Sequence, residues 1–254
     1  MELSMEQRRA AIVELVNQKG SVSFAQLKEA FPSVSEMTLR TDLKALDSAR
    51  SLVRVHGGAK SVQVIVGTDD QLGRRIARNA DAKLSIAQKA VQLLRPNMTV
   101  YLDSGSTATT LARNFPDDPY LIFTSGLSCV TELARLTTAR VMIPGGILNR
   151  YSMSVCGIQS IQDVQRVNFD LMFLGVTSYS TDTGFTCGVE EESQLKRTAL
   201  HRSEQVAVLM DSSKVGIKSS FSICGLADVN YIISDGRLPE SFLHECRQYG
   251  VTVL

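Results

Sequence analysis

LDSGSTATTLARNF, residues 102–115, decides how most of the chain is read. A short apolar run, 99–102, ends in Asp-Ser-Gly-Ser-Thr and passes straight into a helical pattern. Strand, small polar turn and helix in immediate succession are the repeating unit of a parallel α/β sheet. The turn also has a chemistry. Glycine lets the backbone approach a ligand, hydroxyls and free N–H groups donate, and the helix dipole favours an anion. Residues 104–107 are therefore a candidate phosphate cradle.

The same grammar recurs downstream. Apolar strand-like runs at 120–123, 140–143, 170–174, 205–210, 231–233 and 251–254 alternate with helical segments, which predicts a mostly parallel sheet covered by helices. Several runs end in polar or glycine-rich turns: Thr124-Ser125-Gly126, Pro144-Gly145-Gly146, residues 175–178, and Asp211-Ser-Ser-Lys214. Ligands of open α/β sheets bind beyond the C-terminal strand ends. Each turn alone has a plainer reading, because Ser, Thr and Asp there also cap the next helix. Their agreement at one sheet edge favours a binding site. Lys214 would point an ammonium into that cleft as a point charge for phosphate, or pair with Asp211 at the surface.

Upstream of this region the grammar differs. A helical pattern at 6–17 stops at Gly20. Ser23-Phe-Ala-Gln26 is a capping box opening a short helix that Pro32 closes. A third helix over 35–46 places Leu39, Leu43 and Leu46 on one stripe and leaves Thr38, Arg40, Thr41 and Lys44 largely on other faces. Two short helices joined by a tight turn, the second exposing Thr, Arg and Lys, form a helix-turn-helix arrangement. Two β-prone runs then flank Gly57-Gly58 as a hairpin, the wing of a winged helix, where Arg54, His56 and Lys60 could meet phosphates.

The boundaries expected are 1–60 for the winged helix-turn-helix, 61–78 for a polar linker with a helix beginning near Leu72, and 79–254 for a Rossmann-like α/β sensor domain with a mostly parallel sheet. The 254 residues suit this division. Net charge is +1, and residues 1–60 hold nine Lys/Arg against seven Asp/Glu, so DNA binding must come from charge placed on one face. The five cysteines are odd in number and widely spaced, which argues against a disulfide framework or a zinc ribbon. No apolar run spans a bilayer and the N-terminus lacks a secretory segment, so the expected location is the cytoplasm. His201 and His244 have no partner at metal-ligand spacing. Glu190-Glu-Glu192 reads as acids complementing a helix dipole, with Lys196 and Arg197 as helix-spaced partners.

At this point the residues resemble the DeoR-type bacterial transcriptional regulators, from about residue 5 to 254. The N-terminal match is Val34-Ser35-x-x-Thr38-Leu-Arg40-Thr-Asp42-Leu43, followed by Arg54-Val-His-Gly-Gly-Ala59. The C-terminal match is Leu102-Asp-Ser-Gly-Ser-Thr107, Pro144-Gly-Gly146, Asp211-Ser-Ser-Lys214 and Ile233-Ser-Asp235. Two positions depart from the family pattern. Thr41 stands where a second arginine is common, and Ser125 stands where Thr-Asn would place an asparagine. The resemblance implies a winged helix fused to a sensor similar in fold to ribose-phosphate isomerases, responsive to a phosphorylated sugar or related metabolite. It implies phosphate at residues 104–107 and Lys214 facing the ligand.

The expected DNA-contacting residues are Ser35, Thr38 and Thr41 near base edges, with Arg40, Lys44, Arg54 and His56 on the backbone or guanine. Arg40 has an alternative partner in Glu36. The expected effector residues are Asp103, Ser104, Gly105, Ser106, Thr107, Thr124, Ser125, Gly126, Gly145, Gly146 and Lys214. No cofactor and no metal are expected. The partners are an operator duplex, a phosphorylated sugar or similar effector, and further copies of the chain as a dimer or tetramer, because paired half-sites need two recognition helices. The alternative is a sugar-phosphate isomerase. Such an enzyme needs a carboxylate base, yet residues 175–180 contain no acid and Asp182 falls at a loop tip. Asp103 then shapes its loop or contacts a sugar hydroxyl. A vestigial pocket is the third reading.

Overall fold

The structure is a computed structural model that describes residues 4–19, 21–49, 51–55, 57–60 and 72–254. The chain divides into two compact units, Met1–Thr68 and Asp69–Leu254. His56 and residues 61–71, most of the expected linker, lie outside the described residues.

In the first unit, α1 (Met5–Lys19) leads to β1 (Ser21–Ser23), α2 (Phe24–Ala30), α3 (Glu36–Ser48), β2 (Val53–Val55) and β3 (Gly58–Lys60). The expected box forms: the Ser23 hydroxyl accepts from the Gln26 amide, and the Gln26 side chain accepts from the Ser23 amide. Lys28 Nζ donates to the Pro32 and Val34 carbonyls and fixes the turn into α3. Ile12, Val16, Leu27, Leu39, Leu43 and Leu46 form the core. The wing is present as the antiparallel pair β2–β3, and β1 joins it on the far side of β3. That third strand, Ser-Val-Ser, is too short to show a period. Gly58 belongs to β3 and is packed so closely that a Cβ would sit 2.2 Å from the Val22 carbonyl oxygen.

The second unit opens with α4 (Leu72–Ala77) and α5 (Ala80–Ala90), the helix near Leu72 beginning where the sequence placed it. It continues through β4 (Thr99–Leu102), α6 (Ser106–Asn114), β5 (Leu121–Thr124), α7 (Leu127–Leu133) and β6 (Arg140–Met142). Next come β7 (Ile147–Asn149), β8 (Ser154–Cys156), α8 (Ile158–Gln165) and β9 (Phe169–Gly175). The remainder is β10 (Ser178–Ser180), β11 (Gly184–Cys187), α9 (Glu190–His201), β12 (Ser203–Leu209), β13 (Phe221–Cys224), β14 (Tyr231–Ile233), α10 (Glu240–Gln248) and β15 (Thr252–Val253).

All seven expected strands enter one sheet, ordered β15-β14-β12-β9-β4-β5-β6, and every pairing within it is parallel. Strand alternation feeds two cores. Met172 and Leu174 of β9 face one layer with Phe185, Leu195 and Phe242, while Leu171 and Phe173 face the other with Ile86, Leu111 and Ile122. Beyond the expected elements are the β7–β8 hairpin and an antiparallel sheet of β10, β11 and β13. Asp182 is exposed in the turn between β10 and β11. Chain order runs outward in both directions from the β4–β9 pair, so the topological switch point lies between those strands.

Candidate nucleic-acid interface and effector cleft

The recognition helix is α3. Its N-cap is Ser35, whose hydroxyl accepts from the Thr38 amide at 3.1 Å and lies 2.8 Å from the Thr38 hydroxyl. Thr41 donates to the Met37 carbonyl at 2.9 Å. These hydroxyls already serve the helix but keep lone pairs for a base edge. Arg40 is exposed, lies 3.8 Å from the Glu36 carboxylate, and rests its guanidinium 4.3 Å from the centre of the Phe24 ring. Both contacts are weak enough to yield to a phosphate. Lys44 is exposed, and Arg54 is exposed on β2 with its amide donating to Asp47. His56 is outside the described residues.

Two features of α3 were missed from sequence. Met37 is 75% exposed on the same turn-spaced face as Arg40, Thr41 and Lys44, an apolar contact suited to a thymine methyl. Asp42 faces inward, where Arg8 and Arg9 of α1 hold it at 2.7 and 2.8 Å. Burial works to raise its pKa, but the two arginine bonds outweigh it and keep the carboxyl below its ordinary value.

The candidate effector cleft lies at the switch point. Asp103 follows β4 and is 1% exposed. One of its oxygens accepts from the Ser104 amide at 2.8 Å. The other accepts from the Gly175 amide at 2.9 Å and contacts the Lys196 ammonium. Lys196 also donates to the Gly175 carbonyl at 3.0 Å. Burial alone would depress the lysine, but Asp103, with Glu192 behind it, holds its pKa above the ordinary value. Asp103 thus fixes the two loops flanking the switch point.

On that frame, Ser104 is largely buried, Gly105 takes a φ of +109°, and Ser106 and Thr107 stand half-exposed at the start of α6. The Gly105 carbonyl accepts from Thr109, so the first free helix N–H groups belong to the three residues before it. Two half-exposed hydroxyls, the free amides and the positive end of the dipole thus share one helix terminus.

The loop after β5 backs this cradle. Thr124 and Ser125 are buried. The Thr124 hydroxyl accepts from the Gly126 amide, and the Ser125 carbonyl accepts from Val155. Gly126 is placed so that a Cβ would lie 3.1 Å from the Ser104 Cα. Gly145 and Gly146 are occupied differently. The Gly145 amide donates to Asp163, its carbonyl accepts from Ser160, and Gly146 packs on the Cys156 carbonyl, so both position α8. Lys214 makes no hydrogen bond or ion pair to residues 104–107. Burial depresses its pKa, Asp211 opposes that, and Arg78 and Arg75 reinforce it.

Lys196 and Glu192 are the principal additions to the sequence reading. The sequence pairs them with each other on a helix surface. The structure instead buries Lys196 against Asp103 and gives the half-buried Glu192 to Ser154 at 2.8 Å and Asn149 at 3.3 Å. The signal available was Lys196 on a stripe with Ser193, Ala199 and Leu200, which faces inward.

Comparison with known proteins agrees with both halves. Residues 8–64 match the DeoR-like helix-turn-helix domain, and residues 78–236 match the DeoR C-terminal sensor domain. The chain is 32% identical to a putative aga operon transcriptional repressor of Escherichia coli O157:H7, over 98% of this chain and 93% of that one. It is 31% identical to an L-fucose operon activator of Haemophilus influenzae, over 98% and 100%. It is 29% identical to the HTH-type transcriptional regulator GlpR of Haloferax volcanii, over 98% and 96%. The exposed face of α3, the wing behind it and the α/β sensor fold are the parts such a regulator requires, and the chain belongs to the DeoR family of DNA-binding transcriptional regulators.

Proposed function

We propose that the protein controls a carbohydrate operon, with a phosphorylated sugar or related metabolite as effector at the ends of β4 and β9. The observation that carries this reading is the position of residues 104–107. They open α6 at the switch point of a parallel sheet, on a loop held rigid by Asp103 and Lys196. Phosphate would meet the Ser106 and Thr107 hydroxyls and the α6 amides. Ser35, Thr38 and Thr41 would lie near base edges, with Arg40, Lys44 and Arg54 on phosphates or guanine. The protein would act in the cytoplasm as a homo-oligomer that places two recognition helices on paired half-sites.

A sensor and not a catalyst is the reading favoured by the buried pair. Lys196 is held protonated by Asp103; burial pushes the Asp103 pKa above its ordinary value, but Lys196 and two amides already occupy both of its oxygens, so neither group is free to take a substrate proton. Glu192 favours the second reading, a sugar-phosphate isomerase, because it is a carboxylate beside the cleft. A thermal-shift panel of sugar phosphates separates the possibilities. Stabilisation of the wild type that disappears in Gly105→Asp, without turnover of the same compounds, supports the sensor. Turnover abolished by Glu192→Gln would replace it with the enzyme, and no shift across the panel would leave the pocket vestigial.

A further inference from the structure

Half of the exposed large apolar side chains in the described residues fall within residues 142–158. Met142 ends β6, the edge strand of the parallel sheet, and Ile143 follows it. Ile147 and Leu148, 76% and 42% exposed, occupy β7. Tyr151 stands at the hairpin turn and Ile158, 71% exposed, opens α8. Register brings the hairpin and the start of α8 together, since Ile147 pairs with Cys156, two residues before Ile158. β8 is covered on both sides, by β7 and by a bridge from Ser154 to Gly126, so β7 is the open strand. Neighbouring residues on a strand point to opposite faces, and here Ile147 on one face and Leu148 on the other are both exposed. An open apolar strand of this kind invites pairing unless something covers it.

We propose that this edge, centred on β7 and Ile158, is where a second copy of the chain docks. Charge selects that occupant. Across the seventeen residues 142–158 the sole ionisable charge is Arg150, at the turn. Two copies of the surface therefore meet without like-charge repulsion, whereas a strongly charged partner finds almost nothing to pair with. An edge strand also pairs with its own copy across a two-fold axis, giving a self-complementary contact. One chain carries one α3, so the operator reading proposed above requires a second copy.

The edge is continuous with the effector cleft. Asn149 and Ser154 both bond Glu192, Ser152 bonds Ser154, and the Met153 carbonyl accepts from Leu127 at the start of α7. Met153 holds a φ of +53°, a costly conformation for a side chain with a Cβ. A ligand that shifts Glu192 or Gly126 therefore acts directly on the hairpin that meets the partner. The inference rests on the regulator reading only for its purpose, because self-association is measured without DNA or effector.

The experiment is the solution mass of the full chain by light scattering, at tens of micromolar and in the absence of DNA. Wild type is expected at a multiple of the 27.8 kDa chain mass. Ile147→Asp with Ile158→Asp should cut that mass at least in half, while Ile217→Asp, an exposed apolar residue elsewhere, leaves it unchanged. Circular dichroism checks that the double variant is folded, and Ile147→Ser replaces it if it is not. A bismaleimide should cross-link Ile147→Cys chains to each other and not Ile217→Cys chains. A monomeric wild type, a folded variant of unaltered mass, or equal cross-linking at the control position would each overturn the proposal.

Discussion

The Lys196 ammonium contacts the buried Asp103 carboxylate, joining α9 to the loop after β4, and its second bond, to Gly175, reaches the C-terminal end of β9. One lysine thereby connects the three elements that surround the switch point. Replacing it by methionine leaves Asp103 as an unpaired buried carboxylate, with an expected cost of about 3–5 kcal/mol. Asp103→Asn in the same chain removes the stranded charge and should recover part of that loss. Urea unfolding of the four chains in the cycle measures the coupling; additive losses would show that the pair does not act as a unit.

Gly126 tests whether the loop after β5 sets the cradle from behind. A Cβ there meets the Ser104 Cα and the Cys129 Sγ, both at 3.1 Å, and backbone on the Ser104 side cannot yield cheaply. Gly126→Ala is expected to cost about 1–3 kcal/mol by overpacking. It should also weaken or abolish the thermal shift produced by an effector phosphate. If Gly126→Ala left that shift intact, the loop would be shown to lie apart from the binding geometry.

The parallel sheet was legible because each of its strands is an apolar run ending in a turn, a pattern that needs no long-range information. β10 and β13 were not, since Ser178, Ser180 and Ser222 interrupt the apolar signal, and β13 pairs with β11 across a long stretch of intervening chain. The turn at 104–107 was legible as strand, glycine and helix. Lys196 was not, because helical spacing offered Glu192 as a nearer partner than Asp103, 93 residues away. The roles of Gly145 and Gly146 were hidden for the same reason: Asp163 and Ser160, the groups that occupy them, come from a later helix.

Lys83 gives the fold a pH signature. Its ammonium donates to the Arg75 and Arg78 carbonyls, joining α5 to α4 and the turn between them. Burial brings its pKa down to about 8 from 10.5; Asp211 resists, and Lys214, Arg78 and Arg75 add to the fall. The folded chain therefore releases this proton near pH 8, while the unfolded chain keeps it to about 10.5. Between those values the unfolded state binds more protons, so stability rises with pH. Relative to Lys83→Met, whose site does not titrate, the wild-type melting temperature should climb from pH 8 to pH 10. A constant difference between the two melting temperatures would rule out the depressed pKa.

The winged helix is tested by salt. A side chain that neutralises a phosphate contributes close to one counterion to the dependence of log K on log salt. Lys44→Ala and Arg54→Ala, both exposed and free of ion pairs in the described residues, should weaken operator binding at low salt. Each should reduce the slope by about one, with little change in sequence preference. Met37→Ala should behave oppositely, leaving the slope alone while lowering discrimination at one base pair by about 1–3 kcal/mol. Asp42→Asn supplies the contrast. It removes the charge that holds Arg8 and Arg9 under α3, so it should lower the stability of the N-terminal unit and reduce binding by the fraction left unfolded. Fluorescence anisotropy on one labelled operator across a salt series resolves all four cases. If Lys44→Ala and Arg54→Ala kept the wild-type slope, the phosphate contacts would have to be sought off α3 and β2.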